Sequence, residues 1–146
     1  MNADRAVRAG IYSVFAADGI APDPTDLGVC LGLSRAEVLA SFQRLAAAHL
    51  VVLEPDAATI RMASPFSAVP TPHTVESAGV RYFANCAWDA FGIPAALGRP
   101  AIVRSRCGVS QELLRLEVNA EAPPESSWVF HTPVAAARWW DDIIET

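Results

Sequence analysis

An α+β fold is what this sequence of 146 residues predicts, and three observations predict it. Apolar residues recur at helical spacing through the N-terminal third. Alternating apolar runs joined by short turns fill much of the rest, and no β-α-β repeat links them. Composition agrees: 52% of residues are hydrophobic and 18% charged, so the chain has a core to build and is not disordered. The length suits one ordinary domain, or two very small ones sharing a core. The predicted organisation is a winged-helix-like helical module at 1–63, a Pro-rich linker at 64–79, and an α+β domain at 80–146. That last domain should hold a mixed or antiparallel sheet with short helices.

Each element has a local reason. Residues 4–17 carry Val7, Ile11, Val14 and Phe15 at a spacing that makes one buried stripe. Pro22 and Pro24 exclude a continuation of that helix, and a short second helix is expected at 25–31. Ser34 and Glu37 have the spacing of a capping box and start a third helix, which carries Val38, Leu39, Phe42 and Leu45 inward to about His49. Strands are expected at 50–53 and 59–62 around the polar turn Glu54-Pro55-Asp56. Helices followed by a hairpin is the order of a winged helix. Its reading helix would offer Arg35, Gln43 and Arg44, but Glu37, Glu54 and Asp56 would repel phosphates.

Beyond this module, Pro65, Pro70 and Pro72 favour an extended linker with Phe66 as its one large apolar anchor. His73 within it is given no role, because a lone loop histidine is usually solvated. Strands are expected at 80–83, 101–105 and 113–118, the last with Leu114, Leu116 and Val118 on one face. A helix at 88–97 should be interrupted by Gly92 and Pro94. A polar loop at 120–126, a short strand at 128–130 and an amphipathic helix at 133–144 complete the chain. Trp139 and Trp140 are expected in the core or covering a sheet edge.

Charge and cysteine usage narrow the function classes. The net charge of −5 argues against nucleic acid, so DNA is not an expected partner. No apolar run approaches the ~20 residues of a membrane span, and the first fifteen residues lack the apolar core of a signal peptide. The three cysteines, Cys30, Cys86 and Cys107, are odd in number, far apart and form no C-x-x-C pair. A disulfide framework and a protein-only zinc site are therefore not expected, and a reducing cytoplasm is. Cys30 and Cys107 are expected as small buried hydrophobes.

Cys86 differs because of its setting. In the run Arg81 to Pro94, R-Y-F-A-N-C-A-W-D-A-F-G-I-P, it stands three residues before Asp89. At the start of a helix, positions i and i+3 share a face, so thiol and carboxylate can address one ligand. First-turn N–H groups favour the thiolate, whereas a neighbouring Asp⁻ opposes it. The pair makes most sense as a nucleophile beside a proton carrier.

The longer run from Tyr82 to Arg99, Y-F-A-N-C-A-W-D-A-F-G-I-P-A-A-L-G-R, resembles the catalytic segment of the alkylmercury (organomercurial) lyase family. That segment has a Cys-Ala-x-Asp core, an apolar helix, a Pro-Ala-Leu turn and a Gly-Arg. The likeness continues through Ala101 to Cys107 into a strand ending in Ser-x-Cys, and the preceding helical module is similar too. The resemblance implies protonolysis of a carbon–mercury bond. Cys86 would bind mercury as a soft thiolate, and Asp89 would carry a proton to the departing carbon. Mercury would enter as part of the substrate, on Cys86 and Asp89, with free thiol as co-reductant and no organic cofactor. The family places a second cysteine on mercury, and none follows Cys107 here. Ser126 and Ser127 are hard hydroxyls and poor substitutes. Impaired turnover is the expected consequence, and a shortened sheet with an open edge makes a homodimer the expected assembly. Two alternatives remain: a non-catalytic soft-metal or thiol-reactive-ligand binder, and a winged-helix regulator with a ligand-sensing domain.

Overall fold

Three helices form first along the chain, each with a local start or stop signal. Their positions come from a computed structural model that describes residues 3–119 and 124–144. Helix α1 (Ala3–Asp18) buries Val7, Ile11 and Phe15, one residue per turn on a single face. It ends at Gly19, whose φ of +71° a side chain would strain and whose Cβ position is blocked by the Arg81 carbonyl oxygen. Helix α2 (Pro24–Leu31) starts at Asp23, which accepts from the Thr25 N–H at 2.7 Å, and stops at Gly32 in the left-handed region. Helix α3 (Arg35–Ala47) has the complete capping box: Glu37 N–H donates to Ser34 Oγ, and Ser34 N–H donates to the Glu37 carboxylate. A clasp joins α1 to α3, with Ser41 Oγ donating to Asp4 at 2.6 Å and Arg44 pairing with the same carboxylate.

The sheet follows. Strands β1 (Val52–Leu53) and β2 (Ile60–Ala63) form a hairpin. Asp56 closes its turn by accepting from the N–H groups of Ala58 and Thr59. Strands β3 (Phe66–Ser67), β4 (Thr74–Ser77) and β5 (Val80–Ala84) come next. After helix α4 (Ala87–Leu97) the chain adds β6 (Ala101–Arg106) and β7 (Leu113–Val118). Among the described residues these make one seven-stranded sheet, ordered β1-β2-β3-β5-β4-β6-β7, with every neighbouring pair antiparallel. The fold is therefore α+β. One apolar cluster runs from Val7 on α1 through Phe42, Phe66 and Tyr82 to Val118 on β7. Glu76, Arg81 and Arg104 form ion pairs from residues that alternate with this buried set.

Five expectations need correction. The stretch 64–79 is not an unstructured connector: it supplies β3 and β4, and Phe66 stacks on Phe15 with ring centroids 5.3 Å apart. A two-residue strand such as β3 carries too few positions for alternation to reveal it. Helix α4 runs through Gly92 and Pro94 without interruption, because Ala90, Ile93 and Pro94 are buried together and packing outweighs propensity. Residues 128–130 form no strand, and Trp128 instead uses Ser126 Oγ as a local acceptor. In place of a helix over 133–144 there is a 3₁₀ helix, Ala136–Asp141, that buries no residue. The loop expected at 120–126 lies partly outside the described residues. Trp140 is 42% exposed and stacks on His49 at 4.3 Å, so it is neither core nor a cover for the β7 edge.

Candidate active site

The end of β5 is anchored before the chain turns into α4. Ala84 N–H donates to the His73 carbonyl at 2.9 Å, and the Ala84 carbonyl accepts from Thr71 Oγ1 at 2.6 Å. The register pairs Thr74 with both Phe83 and Arg104, so this sheet end also carries His73 and Ser105. A hydrogen bond of 2.7 Å joins His73 Nδ1 to Ser105 Oγ. Two residues past Ala84, Cys86 becomes the N-cap of α4 with an extended backbone (φ −149°, ψ 179°), and its carbonyl accepts the Ala90 N–H at 3.1 Å. Asp89 falls in the first helical turn. The pair singled out in the sequence thus sits at one helix N-terminus, both residues half-buried.

Burial controls the electrostatics here. It pushes the Cys86 thiol above its ordinary value, and the charge of Asp89 adds to the rise. The first-turn N–H groups of Asp89 and Trp88 oppose that rise without making a capping hydrogen bond. Burial likewise pushes the Asp89 carboxyl up, against a hydrogen bond from Asn85 Nδ2 at 2.8 Å that stabilises the ionised form. His73 is lowered by burial, so its neutral form is favoured.

Beside this turn lies an apolar cleft of about 1030 Å³. Ala87 and Trp88, the two residues between Cys86 and Asp89, contribute to its wall, with Phe91, Leu114, Leu116 and Phe130. Trp88 meets Phe130 with ring centroids 5.4 Å apart. Cys86 and Asp89 adjoin this cleft through Ala87 and Trp88 and do not themselves line it.

The alkylmercury lyase family model, MerB, matches residues 66–145, more than half of the chain and all of the site just described. The chain belongs to the alkylmercury lyase family. Its fold is also that of a solved family structure: the crystal structure of the mercury-bound form of MerB2 is similar over 87% of this chain, with a TM-score of 0.67 and 23% identity. The chain spans 60% of that MerB2 chain. No curated protein matches it.

Against this family background the other two cysteines are placed differently from expectation. Cys30 is exposed on α2 rather than buried, because the helix turns Leu27 and Gly28 inward instead. Cys107 is half-exposed in the β6–β7 turn, where the Ser110 hydroxyl and backbone hydrogen bonds from Ser110 and Val109 lower its thiol. It borders the same cleft as Trp88. Among the described residues no group of three His, Cys, Asp or Glu side chains is placed to hold a metal ion. No described helix is long and apolar enough to cross a membrane. Sequence reasoning missed Asn85 and Ser105, and it expected His73 to be solvated, whereas His73 is half-buried and bonded to Ser105. Asn85 precedes the N-cap Cys86 and lies outside α4, so helical spacing does not predict its contact with Asp89. The His73–Ser105 pair joins residues 32 positions apart, and nothing local announces it.

Proposed function

We propose that this chain cleaves carbon–mercury bonds by protonolysis, with Cys86 as the mercury ligand and Asp89 as the proton carrier. The observation that carries the reading is the placement of both groups on the first turn of α4, inside the segment matched by the alkylmercury lyase family. In the first step the Cys86 sulfur bonds to mercury of R–Hg–X, X⁻ leaves, and the thiol proton passes to the Asp89 carboxylate. In the second, Asp89 gives that proton to the carbon of R as the carbon–mercury bond breaks. The bonding pair becomes the new C–H bond, and Hg(II) remains on sulfur. A carboxyl raised by burial is a better proton donor-in-waiting near neutral pH than a solvated one. Free thiol from solution then completes the coordination of mercury and removes it. No cofactor enters this scheme.

A second reading, binding of a soft metal without turnover, is favoured by one observation. The other two thiols lie on α2 and in the β6–β7 turn, so the first turn of α4 itself offers mercury one protein sulfur. With a single protein thiolate on mercury protonolysis would be slow, because a second thiolate loosens the carbon–mercury bond. Incubation with phenylmercury and excess thiol separates the two readings: benzene release that disappears in Cys86→Ser supports the lyase. Tight mercury binding without benzene release supports the binder. Benzene release unchanged by Cys86→Ser defeats both.

A DNA-binding role for the helical module is disfavoured by the pairing of Arg44 with Asp4 and of Arg61 with Glu54. Self-association is proposed instead. Strand β7 pairs with β6 alone among the described residues, and an open strand edge invites a second copy. Light scattering on a size-exclusion column should give the mass of a dimer, and a monomer at high concentration would refute it.

A further inference from the structure

Resting on the lyase reading, we infer that Asn85 is a positioning residue that aims the Asp89 carboxyl through a 2.8 Å hydrogen bond from its side-chain amide. The anchored end of β5 sets the Asn85 backbone, with Ala84 tied to His73 and to Thr71 on the neighbouring segment. From there the Asn85 amide reaches Asp89 on the first turn of α4. Its Nδ2 donates to Asp89 Oδ2 at 2.8 Å, and at a longer 3.4 Å to Ser64 Oγ. Its Oδ1 is buried and has no hydrogen-bond partner among the described residues.

These two ends of one amide match what the proposed cycle asks of Asp89. The carboxylate must first be ionised to accept the thiol proton. An amide N–H steadies that state and cannot itself titrate, so it brings no competing proton. After the transfer, Asp89 carries an O–H that needs an acceptor. A half-turn of the Asn85 amide presents Oδ1 to it, and the Ser64 hydroxyl can serve either orientation as donor or acceptor. A buried carbonyl oxygen with no donor costs free energy in the ionised state. The half-turn puts the Asn85 NH₂ in that same place, so one unpaired group is present in both states and the amide acts on Asp89 through the orientation it imposes. His73 and Ser105, at the same sheet end, already satisfy each other and do not face this amide through any described hydrogen bond.

The test uses the whole chain with ¹³C-labelled aspartate, the Asp89 carboxyl signal being assigned by its loss in Asp89→Asn. In Asn85→Leu, the Asp89 signal should titrate at a higher pH than in the parent. In Asn85→Asp, close to isosteric and therefore less prone to misfold, the like charge should move it higher still. Benzene release from phenylmercury should fall by about tenfold to a hundredfold in kcat with KM little changed, the loss of one hydrogen bond to a charged group. An Asp89 titration that is the same in the parent and in both variants overturns the inference. The titration is read without turnover, so failure of the lyase reading shows separately, as a parent that releases no benzene.

Discussion

Two thiols on one small chain are driven in opposite directions by their surroundings. Cys86 is raised by burial and by the adjacent Asp89 charge, whereas Cys107 is lowered by hydrogen bonds from the Ser110 hydroxyl and from backbone N–H groups. A raised value means the thiolate forms only at higher pH, and a lowered value means it forms earlier. At neutral pH, iodoacetamide should therefore label Cys107 faster than Cys86, and the Cys86 rate should keep climbing with pH after that of Cys107 has levelled. Peptide mass spectrometry across a pH series measures both. Asp89→Asn removes the repelling charge, so it should bring the Cys86 midpoint down; an unchanged midpoint would mean that the two groups do not communicate. The spacing of Cys86 and Asp89 was legible in the sequence because i and i+3 on a helix turn is a local relation. Their burial was not, since it depends on what packs over the turn.

At the scale of elements, local signals decided most boundaries. The Ser34–Glu37 capping box, the Asp23 cap and the left-handed Gly32 fall where short-range chemistry places them. Replacement of Ser34 by alanine should cost about 1 kcal/mol in urea denaturation, the usual loss on deleting a cap. A change in stability within error would mean that α3 is held by packing alone. Helix α4 shows the opposite balance. A glycine and a proline read as an interruption, yet burial of Ala90, Ile93 and Pro94 against the sheet carries the helix through both. The C-terminal stretch shows what happens without such burial. Its amphipathic pattern predicts a helix, but no residue of the 3₁₀ helix Ala136–Asp141 is buried, so only a short turn forms.

Across the whole molecule, Phe66 joins the helical part to the sheet. It stacks on Phe15 of α1 at 5.3 Å and leans on Tyr82 of β5 at 5.7 Å, and Tyr82 Oη in turn donates to the Ala16 carbonyl of α1. Phe66→Ala should destabilise the fold by about 3–5 kcal/mol, the range for a buried phenylalanine. Because one apolar cluster spans helices and strands, heating should produce a single cooperative transition, seen together by far-UV circular dichroism and tryptophan fluorescence. Two separated transitions would instead show that the helical module and the sheet are independent.

By itself the sequence determined the starts and stops of α1 to α3, the β6–β7 hairpin, and the thiol–carboxylate spacing that marks the family. All of these rest on contacts within a few residues, where residue type and spacing decide the energy. Only the tertiary structure decided that 64–79 completes the sheet, that α4 passes through its proline, and that Cys30 and Cys107 stay out of the core. It also decided that Asn85 reaches Asp89 while His73 meets Ser105 from a distant strand. Those outcomes depend on strand register and on which surfaces cover one another, and such long-range burial leaves no mark in local spacing.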